Sequence, residues 1–388
     1  MDKIEELLTR GVANIIPNKE DLRKLLVSGR KLNIYLGIDP TATKLHLGNA
    51  TVLRKLNQFA EMGHNVTFLI GDFTALVGDD SDKDSERPIL SPEKIEKNFE
   101  TYKKQAGKIL DFSKVKIRKN SEWLSKLTYS EVFKLKQQFS LNDFISRELI
   151  KKRLGEGKMV RLDETEYPIM QGYDSYFLDT DIQVGGTDQT FNMQAGRTLQ
   201  KKVRNKESYI LASEFLMGTD GRKMSKSWGN AIWLEDNPQD MFAKVMAIKD
   251  DLIDQYFVLA TNMELKKIKE IESGKNPMEV KKELAKIIVT ELHSEKDAQE
   301  AAENFKKTVQ KKEVPENIQT VVLPKDFTDY YDLFIKIGVG SSRSEIKRLI
   351  EQGGITIDDK NIKNDPHFKI GDRSLIKVGK RKFIKIKY

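Results

Sequence analysis

The strongest constraint in this chain is a rhythm: short apolar runs that end in polar turns, spaced by segments of helical periodicity. Asn33–Ile38 (NIYLGI) runs into Asp39-Pro40-Thr41, and Asn65–Ile70 (NVTFLI), after the turn at Gly63-His64, runs into Gly71-Asp72. Lys114–Ile117, Ile182–Val184 and Tyr209–Leu211 are weaker runs of the same kind. Helical patterns fill the intervals, as at Ala50–Met62 and at Ser91–Leu110, where Ser91 stands as a cap and Pro92 in the first turn. Strands alternating with helices imply an α/β class with a parallel sheet covered on both faces. Ligands of such sheets bind beyond the carboxyl ends of the strands, which is where the polar residues fall here.

From about Glu264 to Lys312 the pattern changes to charged helices, broken at Gly274–Pro277 and near His293-Ser294. Val314-Pro315 and Leu323-Pro324-Lys325 read as a linker. The tail starts afresh with an amphipathic helix at Ser342–Gln352, a turn at Gly353-Gly354, and strands at Ile355–Ile357, Leu375–Val378 and Lys382–Ile386. The positive charge gathers there. Residues 328–388 hold 14 Lys and Arg against 8 Asp and Glu, while the remaining chain holds 53 against 51. Such asymmetry suggests a terminal module that faces a polyanion, although a solvated tail shows the same excess.

Several function classes drop out on composition. The 388 residues contain no cysteine, which removes disulfide scaffolds, thiolate metal sites and cysteine nucleophiles. The four histidines, His46, His64, His293 and His367, do not pair at metal-binding spacing, so no structural metal is expected. No apolar run reaches the roughly 20 residues of a membrane span, and the acidic start MDKIEELL fits no presequence. A soluble cytoplasmic protein is expected.

Two segments carry chemistry. His46-Leu47-Gly48-Asn49 opens a helix soon after the first strand, with His46 and Asn49 on one face of its first turn. The helix N-terminus offers unpaired amides and positive dipole to a phosphate. Alone, so short a pattern is more often a solvent-facing helix cap. Gly221-Arg222-Lys223-Met224-Ser225-Lys226-Ser227 places two lysines around a small polar residue, in a glycine-flanked loop expected to be mobile. Cations of this kind suit the growing charge of a departing pyrophosphate.

HLGN together with KMSKS resembles the signature pair of class I aminoacyl-tRNA synthetases, and the whole chain resembles the bacterial tyrosyl-tRNA synthetases. GIDPTATKLHLGN, GDFTALVGD, YPIMQGYDS, QVGGTDQTFN and GTDGRKMSKS occur in the family's order, before a segment similar to an S4 RNA-binding domain. The resemblance implies a Rossmann-like catalytic domain over residues 1–235 with a helical insertion at about 84–153. It further implies a helical anticodon-side domain over 236–320 and an S4-like α+β domain over 328–388. The implied activity is tyrosine activation by ATP, with Mg2+, and transfer to tRNA(Tyr), by a homodimer.

Carried over by position, Tyr35 and Asp174 would bond the phenol of tyrosine, while Asp79, Tyr167 and Gln171 would hold its ammonium. Asp39, Thr41, His46, Gly48 and Asn49 would line the ATP phosphates and adenosine. Gly186, Asp188 and Gln189 would stand at the ribose and carboxylate side. Lys223, Ser225 and Lys226 would close over the pyrophosphate, assisted by Lys83 and Arg87, and Arg343, Lys347 and Arg348 would grip RNA. Residue chemistry is consistent with these roles: Tyr167, Gln171 and Asp174 fall at i, i+4 and i+7, three polar groups on one helical face, although without context such a triplet is as readily a solvated face.

Asn49 stands where the family usually has a second histidine, keeping a donor without charge. Asp80 and Asp82 stand where proline and glycine are common. A tryptophanyl-tRNA synthetase, a non-catalytic RNA-binding protein derived from a synthetase, and a small-molecule nucleotidyltransferase are the competing readings. The Tyr35–Asp174 pair and the basic tail weigh against the first and third. The intact Asp39, His46, Asp188, Lys223 and Lys226 weigh against the second.

Overall fold

In the computed structural model, which describes residues 2–78, 90–273, 276–307, 319–322, 329–340, 342–363, 368–379 and 382–387, the expected rhythm becomes one sheet. Its strands are β1 (Val12–Ile16), β2 (Asn33–Ile38), β3 (Asn65–Ile70), β4 (Val115–Lys119), β5 (Ile182–Gly186) and β6 (Tyr209–Ser213), in spatial order β1-β6-β5-β2-β3-β4. Strands β2 to β6 run parallel, and β1 joins β6 antiparallel as an edge. The apolar continuity of β2 and β3 follows from their central position, buried under helices on both faces. The chain reverses its direction of winding between β2 and β5, and that is where a parallel sheet opens a crevice.

Helix α1 (Leu47–Glu61) follows β2, and α2 (Pro92–Ala106) precedes β4 with Ser91 as its cap and Pro92 in its first turn. Strand β4 lies within the stretch read as a helical insertion and completes the sheet beside β3. Helix α3 (Asp163–Phe177) packs along α4 (Thr190–Arg204), which stops at Asn205 in a left-handed conformation, φ 53°. Beyond β6 come α5 (Ile253–Ala260) and α6 (Pro277–Leu292).

The chain divides into two compact units, residues 1–295 and 296–388, so α5 and α6 belong with the sheet. The second unit holds α7 (Tyr330–Lys336), α8 (Arg343–Glu351), β7 (Gln319–Val322), β8 (Ile355–Ile357), β9 (Lys360–Asn361), β10 (Leu375–Val378) and β11 (Lys382–Lys387). Its sheet order is β7-β11-β10-β8-β9. Strand β7 lies between the two stretches read as a linker and pairs parallel to β11. Ile346, Ile355, Ile376 and Ile384 form the centre of this unit's own core. Among the described residues no helix is long and apolar enough to cross a membrane.

Candidate active site

The crevice predicted at the strand ends is a cleft of about 260 Å³. Around β2 and the start of α1 it is lined by Tyr35, Asp39, Thr41, His46, Gly48 and Asn49. Tyr167 and Gln171 face it from α3, Gly186, Asp188 and Gln189 from the turn after β5, and Lys223 and Lys226 from the loop after β6. Thirteen residues singled out along two hundred positions of sequence therefore share one cavity.

His46 caps α1. Its Nδ1 accepts the Asn49 N–H at 3.3 Å, and Asn49 Oδ1 accepts the His46 N–H at 3.1 Å, a reciprocal capping box of the kind worth about 1 kcal/mol to a helix. With Nδ1 an acceptor, the neutral ring carries its proton on Nε2. Burial pushes the imidazole down to about 3, and Lys226 and Lys223 add to the effect, so His46 is uncharged near neutrality. Asn49, whose side-chain carbonyl serves the cap, also lines the cleft. A Cβ on Gly48 would lie 3.0 Å from His46 Nδ1, so this position keeps the ring in place by lacking a side chain.

Asp39, just past β2, is held from two sides: Thr74 Oγ1 donates to Oδ1 at 2.8 Å and the Tyr167 hydroxyl to Oδ2 at 2.9 Å. A Cβ on Gly71 would lie 2.0 Å from Asp39 Oδ1, so the Gly71-Asp72 turn that ends β3 is there to admit this carboxylate. The Tyr35 hydroxyl donates to Gln183 Oε1 at 3.2 Å, and burial pushes its phenol well above the usual range, with Asp174 adding to the rise. Asp174 does not line the cleft. It lies 3% exposed in the structure, Trp123 Nε1 donating to Oδ1 at 2.7 Å and Asn120 Nδ2 to Oδ2 at 3.1 Å. Burial pushes its carboxyl up to about 8 against the pull of those two donors.

On the opposite wall, Lys223 Nζ sits 3.2 Å from Asp188 Oδ2 and 3.9 Å above the Phe215 ring. Lys226 Nζ donates to the Tyr102 hydroxyl at 2.9 Å. The loop expected to be mobile is organised around Asn230, whose Nδ2 donates to Asp220 Oδ1 and to the Lys223 carbonyl while Oδ1 accepts the Ser225 N–H. Chemically, the cleft offers donors and cations along one wall and a buried acceptor beneath the other. That arrangement suits a ligand with phosphates at one end and a polar aromatic group at the other.

A model of the class I tRNA synthetases for tryptophan and tyrosine matches residues 28–310, and an S4 domain matches 332–373. The tyrosine–tRNA ligase of Carboxydothermus hydrogenoformans is 42% identical, over 98% of this chain and 97% of its own. That of Thermotoga maritima is 40% identical, over 98% and 96%. The chain belongs to the tyrosine–tRNA ligase family of class I tRNA synthetases. Two solved structures share the fold of this synthetase. A C-terminally truncated mitochondrial tyrosyl-tRNA synthetase of Aspergillus nidulans has a TM-score of 0.67 at 22% identity, covering 78% of this chain and 93% of its own. A tyrosyl-tRNA synthetase of Archaeoglobus fulgidus complexed with L-tyrosine has 0.60 at 23%, covering 78% and 100%.

The cleft of this synthetase does not collect every residue expected there. Ser225 lies off its lining, with its Oγ 3.1 Å from Ser227 Oγ. Asp79, Lys83 and Arg87 lie outside the described residues. Arg343 is already paired, 2.5 Å from Asp329 and 2.8 Å from Asp332, while Lys347 and Arg348 are exposed on α8. Asn120, Trp123 and Tyr102 are residues at or beside the site that the motifs did not reveal, while Gln183 opens the QVGGTDQTFN motif without a role assigned to it. Gln183, a polar residue inside the apolar run of β5, and Asn120, just past β4, carried a readable signal; Trp123 and Tyr102 carried none.

Proposed function

We propose that this synthetase activates L-tyrosine with ATP and transfers the tyrosyl group to the 3′ end of tRNA(Tyr), working in the cytoplasm. The observation that carries the reading is the opposition, across one cleft, of the neutral His46 at a helix N-terminus and the paired lysines Lys223 and Lys226. In the first step the tyrosine carboxylate oxygen attacks the α-phosphorus, the bond to the bridging oxygen breaks, and pyrophosphate leaves. In the second, a terminal ribose hydroxyl of the tRNA attacks the tyrosyl carbonyl and AMP leaves. Neither step needs a protein nucleophile, so the work is positioning and stabilisation of charge on phosphate.

His46 Nε2–H and the Asn49 amide are neutral donors at the N-terminus of α1, where dipole and free amides also favour phosphate. Lys223, now held by Asp188, and Lys226, held by Tyr102, are the cations that meet the pyrophosphate as its charge grows. Asp188, once released, faces the ribose side with Gly186 and Gln189. Tyr167 and Gln171 accept or orient the amino end of tyrosine beside Asp39, and Tyr35 with Asp174 bonds the phenol. Tyr35 and Asp174 keep their protein partners Gln183, Trp123 and Asn120 in any case, so phenylalanine is disfavoured by the hydrogen bond that its ring cannot add. Magnesium enters with ATP as part of the substrate.

The segment between Tyr129 and Leu162 exposes Tyr129, Phe133, Leu141, Met159 and Leu162. Exposed apolar residues in such number on one segment support a homodimer through this segment. Lys347 and Arg348 would contact tRNA from the second unit. Tyrosine-dependent ATP–pyrophosphate exchange tests the whole reading: exchange with tyrosine is expected. Exchange with tryptophan alone overturns the substrate, and exchange with no amino acid overturns the activity.

A further inference from the structure

We infer that Gln255 and Tyr256, neighbours on α5, are positioning residues that set the register of the lysine loop against the cleft. The segment Phe215–Gly218, which leads out of β6, is bonded along both edges. On one edge it meets the lysine loop: Gly218 N–H donates to the Arg222 carbonyl at 2.7 Å, Met224 N–H to the Leu216 carbonyl at 3.0 Å, and Met217 bridges Lys223. On the other edge it meets α5. Gln255 Oε1 accepts the Met217 N–H at 3.1 Å while Gln255 Nε2 donates to the Phe215 carbonyl at 3.2 Å, so one amide side chain serves as the missing neighbouring strand. The Tyr256 hydroxyl, at the end of a fully buried ring, donates to the Met217 carbonyl at 2.7 Å.

Helix α5 is itself held still. Its terminal carbonyls, which a helix leaves unpaired, are taken by buried guanidinium groups: Arg10 bonds the Phe257, Val258 and Thr261 carbonyls, and Arg54 bonds that of Ala260 at 2.9 Å. Arg54 lies on α1, the helix whose first turn carries His46 and Asn49. One short helix therefore ties down both halves of the cleft, the donor end through Arg54 and the cation end through Gln255 and Tyr256. Phe215, whose ring lies beneath Lys223 Nζ, is the residue whose carbonyl Gln255 holds, so the clamp acts on the lysine through a direct contact.

The inference rests on the adenylation reading, and its test is separable from it. Tyr256→Phe removes one oxygen, and Gln255→Leu removes both amide bonds at a half-buried position. Each is expected to lower kcat for tyrosine-dependent pyrophosphate exchange about tenfold, with the tyrosine KM and the thermal midpoint little changed. In a Lys223→Ala background the same substitutions are expected to change the residual rate by less than about twofold, because they act through that lysine. Losses that multiply independently of Lys223, or that track a fall in tyrosine affinity, overturn the clamp. So do unchanged rates in both single variants, while exchange in the unaltered protein leaves the adenylation reading standing.

Discussion

The two sides of the cleft treat their polar groups in opposite ways. Beneath the aromatic end, Asp174 is closed in, each oxygen taken by a side chain, Trp123 or Asn120, that reaches it from beyond β4. On the lysine side, Lys223 and Lys226 are each parked on a partner, Asp188 or Tyr102, that they can exchange for phosphate. A closed-in acceptor has fixed partners and little room, so on the proposed function it would discriminate between ligands. A parked cation costs little to move, so it follows charge as it develops. On the proposed function, selection would fall to the acceptor buried beneath one end of the cleft and rate to the lysines at the other.

Lys223→Ala is the largest expected effect: kcat for exchange should fall about 10²- to 10³-fold, as for the loss of one preformed charge-stabilising group, with tyrosine KM little changed. Measured steady-state constants in which KM rises and kcat holds would show that the two walls are not separate. The mirror experiment is Asp174→Asn. It puts an NH2 against one of two donors, leaving one buried group unpaired at a cost of about 1–3 kcal/mol, and tyrosine binding should weaken while the response of bound ATP to Lys223 persists.

Asp174 also predicts a pH signature. Its folded pKa is raised to about 8 against 3.8 as a free group, so between those values the folded chain keeps a proton that the unfolded chain releases. The associated stability is complete below about 4 and declines as pH rises through 8, with a slope approaching about 1.4 kcal/mol per unit. Urea unfolding at pH 5 and pH 8 should show this decline, and Asp174→Asn should flatten it. His46 predicts the opposite kind of result. Lowered to about 3, it gives the exchange rate no limb near pH 6.5, the ordinary value for imidazole.

The same contrast explains what the sequence made legible. The ends of β2 and β3 were readable because a continuous apolar run followed by Asp39 or by Gly71-Asp72 is a local pattern. The His46 cap and the lysine loop were readable for the same reason. The enclosure of Asp174 was not, since Trp123 and Asn120 reach it across 51 and 54 residues. Tyr102 meets Lys226 across 124. Edge strands β1 and β7 escaped notice as well, because VANII and QTVV are short and acquire their identity only from the strands they join.

The smallest effect carries the contrast into the second unit. Arg343, Lys347 and Arg348 look equivalent as a basic helix face, yet Asp329 and Asp332 lie against the Arg343 guanidinium, and those two acids hold its charge within the protein. Lys347 and Arg348 stand exposed on the same helix with no such bonds among the described residues. A phosphate contact releases counterions and so contributes about one unit to the dependence of log K on log salt. Lys347→Ala and Arg348→Ala should therefore each flatten that dependence by up to about one unit in tRNA binding measured from 50 to 200 mM salt. Arg343→Ala should leave it nearly unchanged, because an arginine neutralised by two carboxylates has little charge left to displace a counterion. A slope that falls as much for Arg343 as for Lys347 would mean that RNA pulls the guanidinium off its acids, making Arg343 a parked cation of the Lys223 kind.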